Sequence, residues 1–157
     1  MNEDWLDISA SMEFVDGDWM ERQQIIRRNY ARYKRGVDAG ILSWQFPCNP
    51  YLVADWKRLM TPIELAMWDE MRSEGVAFWP QFPVGKYMVD FAQPDRKIAI
   101  ECDGSAYHDV DKDSVRDREL RLMGWTTYRI PGRECFADEI VLRTLWGEEL
   151  SLGSFRA

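Results

Sequence analysis

The chain has 157 residues, 46% of them hydrophobic, eight tryptophans and a formal net charge of −7. That length and apolar content describe one domain with a core of its own and exclude a disordered chain. No run of about 18 apolar residues exists to cross a membrane, and the acidic opening MNEDWLDISA lacks the apolar centre of a signal peptide.

Three widely spread cysteines, Cys48, Cys102 and Cys135, form no disulfide framework and point to a reducing, cytoplasmic setting. No cysteine pair has zinc-ligand spacing, and a single histidine cannot complete a cysteine–histidine site, so no structural zinc is expected.

Residues 1–16 have little periodicity and read as loop or a short helix. Asp18 is placed to cap a helix that runs through the basic stretch to about Asp38, with Gly40 as its stop. Charge is segregated here: residues 1–19 hold six acids and no base, whereas residues 20–39 hold six bases against two acids. Arg27, Arg28, Arg32, Lys34 and Arg35, with Tyr30 and Tyr33 interleaved, suit a phosphate-binding patch. They equally suit a solvated helix paired with the acids before it. Ile41 to Tyr51 is a connector punctuated by Pro47 and Pro50, and Leu52 to Met60 adds a helical turn or two.

A sharper start follows at Thr61. Thr61, Pro62 and Glu64 have the spacing of a capping box with proline at the first helical position. Ile63, Met67 and Met71 share a stripe, so this helix buries a face, and Gly75 ends it. Val76 to Phe82 reads as a first strand, bent or at an edge because of Pro80. Tyr87 to Phe91 and Lys97 to Asp103 are the next two, joined by a turn at Pro94-Asp95. Asp109 to Met123 is helical and stops at Gly124. Thr126 to Ile130 is a fourth strand, and Arg133 to Trp146 a last helix.

The chemistry concentrates in YMVDFAQPDRKIAIECDGSAYH, residues 87–108. Side chains alternate along a strand, so Asp90 should point with Met88 and away from Val89 and Phe91. Ile98, Ile100 and Cys102 form one face of the next strand, and Ala99, Glu101 and Asp103 the other. Closing the hairpin brings Asp90 near Glu101, and the three carboxylates Asp90, Glu101 and Asp103 are expected to converge on one end of the sheet as metal ligands. The only histidine, His108, follows the Gly104 exit. Two like charges 4 Å apart repel by roughly 4 kcal/mol at an effective dielectric near 20. A divalent cation offsets that repulsion and can activate water against a phosphodiester.

The order helix, three-stranded meander, helix, strand, helix, with TPIE, YMVDF, IECDG, His108, RDREL and GWTTYRI in sequence, resembles the PD-(D/E)XK nuclease superfamily. It is similar in particular to the very-short-patch-repair endonuclease branch. The resemblance runs from Thr61 to about Glu134. It implies an α/β, restriction-endonuclease-like domain over 61–150, preceded by a mostly helical extension over 1–60. It further implies Asp90 as central metal ligand, Glu101 in the acid position of the motif, and Asp103 where many members carry lysine. His108 is then a candidate base, Glu64 a helper acid, and Lys86, Lys97 or Arg116 a source of the missing positive charge. Arg116 and Arg118 are further candidates for phosphate contact.

The expected activity is therefore Mg²⁺-dependent hydrolysis of DNA, with Mn²⁺ able to substitute. Duplex DNA is the expected partner, with a homodimer on substrate or a protein partner on the extension as options. The alternative is a catalytically weak or inactive nuclease-fold module within a larger nucleic-acid-processing assembly, since the motif lysine is missing and fold does not fix function. A metal-dependent RNase is a third option.

Overall fold

The computed structural model describes residues 4–75, 77–103 and 110–131. The expected last helix, Arg133 to Trp146, lies outside the described residues. Of the two options for the N-terminal segment, loop or short helix, the structure has the short helix: α1 spans Trp5–Ser11, where Asp4 and Asp7 cap reciprocally. The long basic helix α2 spans Trp19–Asp38, with the Asp18 carboxylate accepting from the Glu21 N–H as expected. A single 3₁₀ turn at Pro50–Leu52 and the short α3, Trp56–Leu59, fill the connector. Helix α4, Pro62–Ser73, starts with the complete capping box of Thr61 and Glu64.

Strand β1 is Trp79–Val84, β2 is Tyr87–Gln93 and β3 is Ile98–Asp103. Helix α5, Val110–Leu122, then carries the chain to β4, Thr126–Pro131. The sheet order is β1-β2-β3-β4, antiparallel except for the β3–β4 pair. A parallel pair needs a crossover, which α5 supplies. Strand β1 begins and ends later than the sequence suggests, because it tolerates Pro83 as well as Pro80. As the edge strand of the sheet it has no outer neighbour among the described residues to lose a hydrogen bond to. Its turn into β2 is the two-residue Gly85-Lys86, and Gly85 has φ +57, which a tight hairpin of this kind demands and glycine supplies without strain.

The sheet is covered on both faces. The larger core joins Ile26, Tyr30 and Tyr33 of α2 to Trp44, Trp56, Met67, Trp68, Trp79, Phe91 and Ile100. Trp68 of α4 lies parallel to Phe91 of β2, ring centres 6.1 Å apart. The Tyr30 hydroxyl donates to the Pro80 carbonyl, and the Trp79 indole N–H to the Trp44 carbonyl at 2.8 Å. Both of these buried polar groups thus have a partner, which burial of a tyrosine or tryptophan requires. The smaller core sets Val89, Ala92 and Ala99 against Leu120 of α5 and Trp125. The helical extension is therefore not a separate layer of the molecule, because α2 shares the central aromatic cluster with the sheet. No described helix is long and apolar enough to cross a membrane.

Candidate active site

The antiparallel register pairs Phe91 with Ile100 and Ala92 with Ala99. One step further along the same register sets Asp90 opposite Glu101. There the ladder gives way to a side chain: the Cys102 N–H donates to Asp90 Oδ2 at 2.8 Å. On its other side Glu101 is paired in parallel register with Arg129 of β4. One row across three strands thus carries Asp90, Glu101 and Arg129.

The faces of β3 are as the sequence predicts: Ile98, Ile100 and Cys102 reach the larger core and Ala99 the smaller. Strict alternation fails in β2. Met88 and Phe91 both reach the larger core, and Val89 and Ala92 the smaller, so the pattern slips at Asp90. Across from it in β1, the pairing has Pro80 with Phe91 and Phe82 with Val89 but skips Gln81, whose φ is +46. A left-handed glutamine inside a strand is an outlier of the kind that collects at functional sites.

Two carboxyl groups are buried together here. Glu101 is 7% exposed. Burial raises the Asp90 carboxyl from 3.8 to about 8, reinforced by the carboxylates of Glu101 and Glu64 and opposed by the Cys102 hydrogen bond. Glu101 is also raised, by burial first, against the pull of Arg116 and Arg129. Burial is thus the first cause for both carboxyls, and the charge on Glu101 adds to the cost of ionising Asp90. Arg116 of α5 donates to both Glu101 and the Met88 carbonyl. Arg129 is held in turn by Asp117 at 2.8 Å, with Asp113 at 3.9 Å. Glu64 completes the surroundings: its Oε1 closes the capping box, and its Oε2 accepts from Gln81 Nε2 at 3.2 Å. Gln81 Oε1 accepts from Gln23 of α2 at 3.2 Å.

Of the residues singled out by sequence, Asp90, Glu101, Glu64 and Arg116 converge. The side chain of Asp103 and the whole of His108 lie outside the described residues. Lys86 lies 3.4 Å from Glu119. Lys97 donates to the Met123 carbonyl and does not join the carboxylates. Arg118 is on α5 and adds to the Tyr87 hydroxyl and Lys86 in holding the Glu119 pKa below its ordinary value. In the basic helix, Arg28 and Arg32 both bind Glu13, at 2.7 and 2.6 Å, and Lys34 binds Asp38 at 2.7 Å. Arg35 sits beside Arg28 and Arg32 around a shallow hollow. Tyr30 and Tyr33 belong to the core rather than to a patch. Arg27 donates to the carbonyls of Gly85, Lys86 and Tyr87. Sequence reasoning missed Gln81 and Arg129. Gln81 carries no local signal, whereas Arg129 was legible as the strand residue that register sets beside Glu101.

The pair fits a hard divalent cation in donor type. Carboxylate oxygens suit Mg²⁺ or Mn²⁺, and a buried carboxyl whose ionisation is opposed by burial and by neighbouring carboxylates is one that the positive charge of such an ion would favour. Among the described residues no group of three or more histidine, cysteine or carboxylate side chains is gathered closely enough to hold a metal.

The model of REase_MTES_1575, a restriction-endonuclease-like family, matches residues 64–147, more than half of the chain. The chain belongs to that family. The REase_MTES_1575 match starts at Glu64 and spans Asp90, Glu101, Arg116 and Arg129, and the α/β fold with its four-stranded sheet agrees with it. Similar proteins include an uncharacterised protein of Haemophilus influenzae (strain ATCC 51907 / DSM 11121 / KW20 / Rd), 33% identical over 59% of this chain and 84% of its own. Protein YcjD of Escherichia coli (strain K12), also uncharacterised, is 36% identical over 54% of this chain and 76% of its own. Among solved structures, the catalytic domain of the homing endonuclease I-Bth0305I aligns with a TM-score of 0.47 at 21% identity, over 56% of this chain and 96% of that one.

Proposed function

We propose that the protein is a divalent-cation-dependent endonuclease that hydrolyses DNA phosphodiester bonds, with Asp90 and Glu101 as its oxygen ligands. The observation that carries this reading is the buried carboxyl pair at the end of the β2–β3 ladder, set within the span of the family match. A hard cation there would lower the pKa of a bound water and stabilise charge on the phosphate oxygens. The Cys102 N–H fixes one oxygen of Asp90 and leaves the other free to turn toward a ligand. Arg116 takes the place of the positive charge that a motif lysine would give, since it already donates to Glu101. Arg129 holds Glu101 from the far side and is itself anchored by Asp117. His108 is the proposed acceptor of the water's proton, a task suited to an imidazole at neutral pH, by the resemblance of IECDG and the histidine after it to the very-short-patch-repair branch. Mg²⁺ is the proposed physiological ion, with Mn²⁺ substituting, and a reducing cytoplasm the proposed setting.

Purified protein should nick or cut plasmid DNA with Mg²⁺ or Mn²⁺ and stop in chelator. Asp90→Ala and Glu101→Ala should each abolish cleavage. Undiminished cutting by Asp90→Ala would falsify the assignment. One observation favours a second reading, a non-catalytic module: Arg116 already neutralises part of the charge on Glu101, and Asp103 stands where a lysine is usual. Absence of Mn²⁺ binding by calorimetry, together with absence of cleavage, would select it.

A further inference from the structure

The first turns of α2 lie beside the carboxyl pair and carry groups that the hydrolytic reading does not use. Trp19 is 70% exposed and its neighbour Met20 62%, an unusual outlay of apolar surface at the start of a helix. Trp19 and Gln23 line two adjoining hollows. One, of about 130 Å³, reaches Thr61, Glu64 and Gln81. The other, of about 420 Å³, is bordered by Arg27, Lys86, Tyr87, Met88 and Arg116. The second lies within the range of roughly 300–1,000 Å³ usual for small-ligand sites. The first reaches Glu64, and the second reaches Arg116, the arginine that binds Glu101.

Two polar atoms on these walls are buried without a hydrogen-bond partner among the described residues: Gln23 Oε1 and Arg116 Nε. Buried polar atoms are almost always paired, so an acceptor and a donor left open on one cleft point to a ligand. Cations are present as well. Arg22 donates to the Gly17 carbonyl and Arg27 to three carbonyls, and no described carboxylate neutralises either.

Resting on the endonuclease reading, we propose that this cleft takes an unpaired nucleotide next to the scissile phosphate, its base stacked on the Trp19 indole. The amide of Gln23 then meets the edge of the base, and Arg27 and Lys86 meet the adjoining phosphates. The substrate class is DNA with unpaired nucleotides beside the cutting point: a tail, a flap or a base turned out of the helix. Base stacking fits this chain better than backbone tracking does. The net charge is −7 and three of the six bases of α2 are already paired with carboxylates, so few cations remain for a long phosphate run.

The test is binding of the full-length protein in chelator, where no cutting occurs, by anisotropy of a labelled fully paired duplex and of the same duplex with a short unpaired tail. Wild type should bind the tailed DNA more tightly. Trp19→Ala should weaken that binding about 5- to 150-fold, the span of a single base–aromatic stack, with less than about a twofold effect on the paired duplex. Trp19→Phe should recover most of the loss. Trp5→Ala, at a tryptophan 54% exposed beside a different hollow, should change nothing. The salt slope for the tail should be near −1.4, as for about two neutralised phosphates on a single strand. Equal affinity for the two DNAs, or an equal loss on both in Trp19→Ala, overturns the proposal. A protein that binds tails through Trp19 yet never cuts with Mg²⁺ would sink the endonuclease reading and leave the cleft standing.

Discussion

At the scale of single residues, the burial of Asp90 beside Glu101 has a thermodynamic consequence. The Asp90 carboxyl is raised from 3.8 to about 8 in the fold, so between those values the folded state binds more proton than the unfolded chain does. The stability of the metal-free protein therefore falls as pH rises through that window, by at most about 1.4 kcal/mol per pH unit. The surroundings that set this are Glu101 and Glu64, which oppose ionisation, and Arg116 and Arg129, which favour it at Glu101. Asp90→Asn keeps an acceptor for the Cys102 N–H and cannot ionise. Urea titrations at several pH values should find its slope flattened and its stability near pH 8 above that of the wild type. Mn²⁺, which competes with protons for the same oxygens, should raise the melting temperature more at pH 8 than at pH 5. A melting temperature indifferent to Mn²⁺ at both values counts against a metal site here.

At the scale of elements, Glu64 serves two structures at once. One oxygen completes the cap of α4 and the other holds Gln81 beside the carboxyl pair. The two duties separate by substitution. Thr61→Ala should cost about 1 kcal/mol of stability, the usual worth of a helix cap, and leave Mn²⁺ affinity alone. Glu64→Gln keeps the cap acceptor and should hold the melting temperature, while removing a charge that bears on Asp90. Its effect belongs in calorimetric Mn²⁺ titrations, and equal behaviour of the two variants there would refute the division. These elements were also the most legible in the sequence. Thr61, Pro62 and Glu64 announce α4, Asp18 announces α2, and the helices stop beside Gly40, Gly75 and Gly124 as read. Caps and glycines act within a few residues, so their signal is local. The slip of alternation at Asp90 and the conformation of Gln81 were not legible, because a cross-strand partner sets them and the chain near them does not name it.

At the scale of the whole molecule, the family match starts at Glu64, yet the interior does not divide there. Ile26, Tyr30 and Tyr33 of α2 are each 2% exposed and pack among Trp44, Trp56, Trp79 and Phe82. Charge patterning offered a phosphate patch or a solvated helix for this segment. Its buried stripe was hidden because the two tyrosines lie among arginines that face outward to Glu13. A fragment of residues 61–157 should fail to fold, with loss of cooperative thermal unfolding and of near-ultraviolet circular dichroism. A cooperative melt from that fragment would contradict the shared core.

That sharing limits how such a protein can change its target. Many recognition segments are modules, exchanged between enzymes without disturbing the body that does the chemistry. Here the helix bordering the cleft is also ballast for the interior, so exchanging it whole would empty the protein's centre. New preferences must come instead by single substitutions at outward positions such as Trp19, Met20 and Gln24, while the inward positions stay as they are.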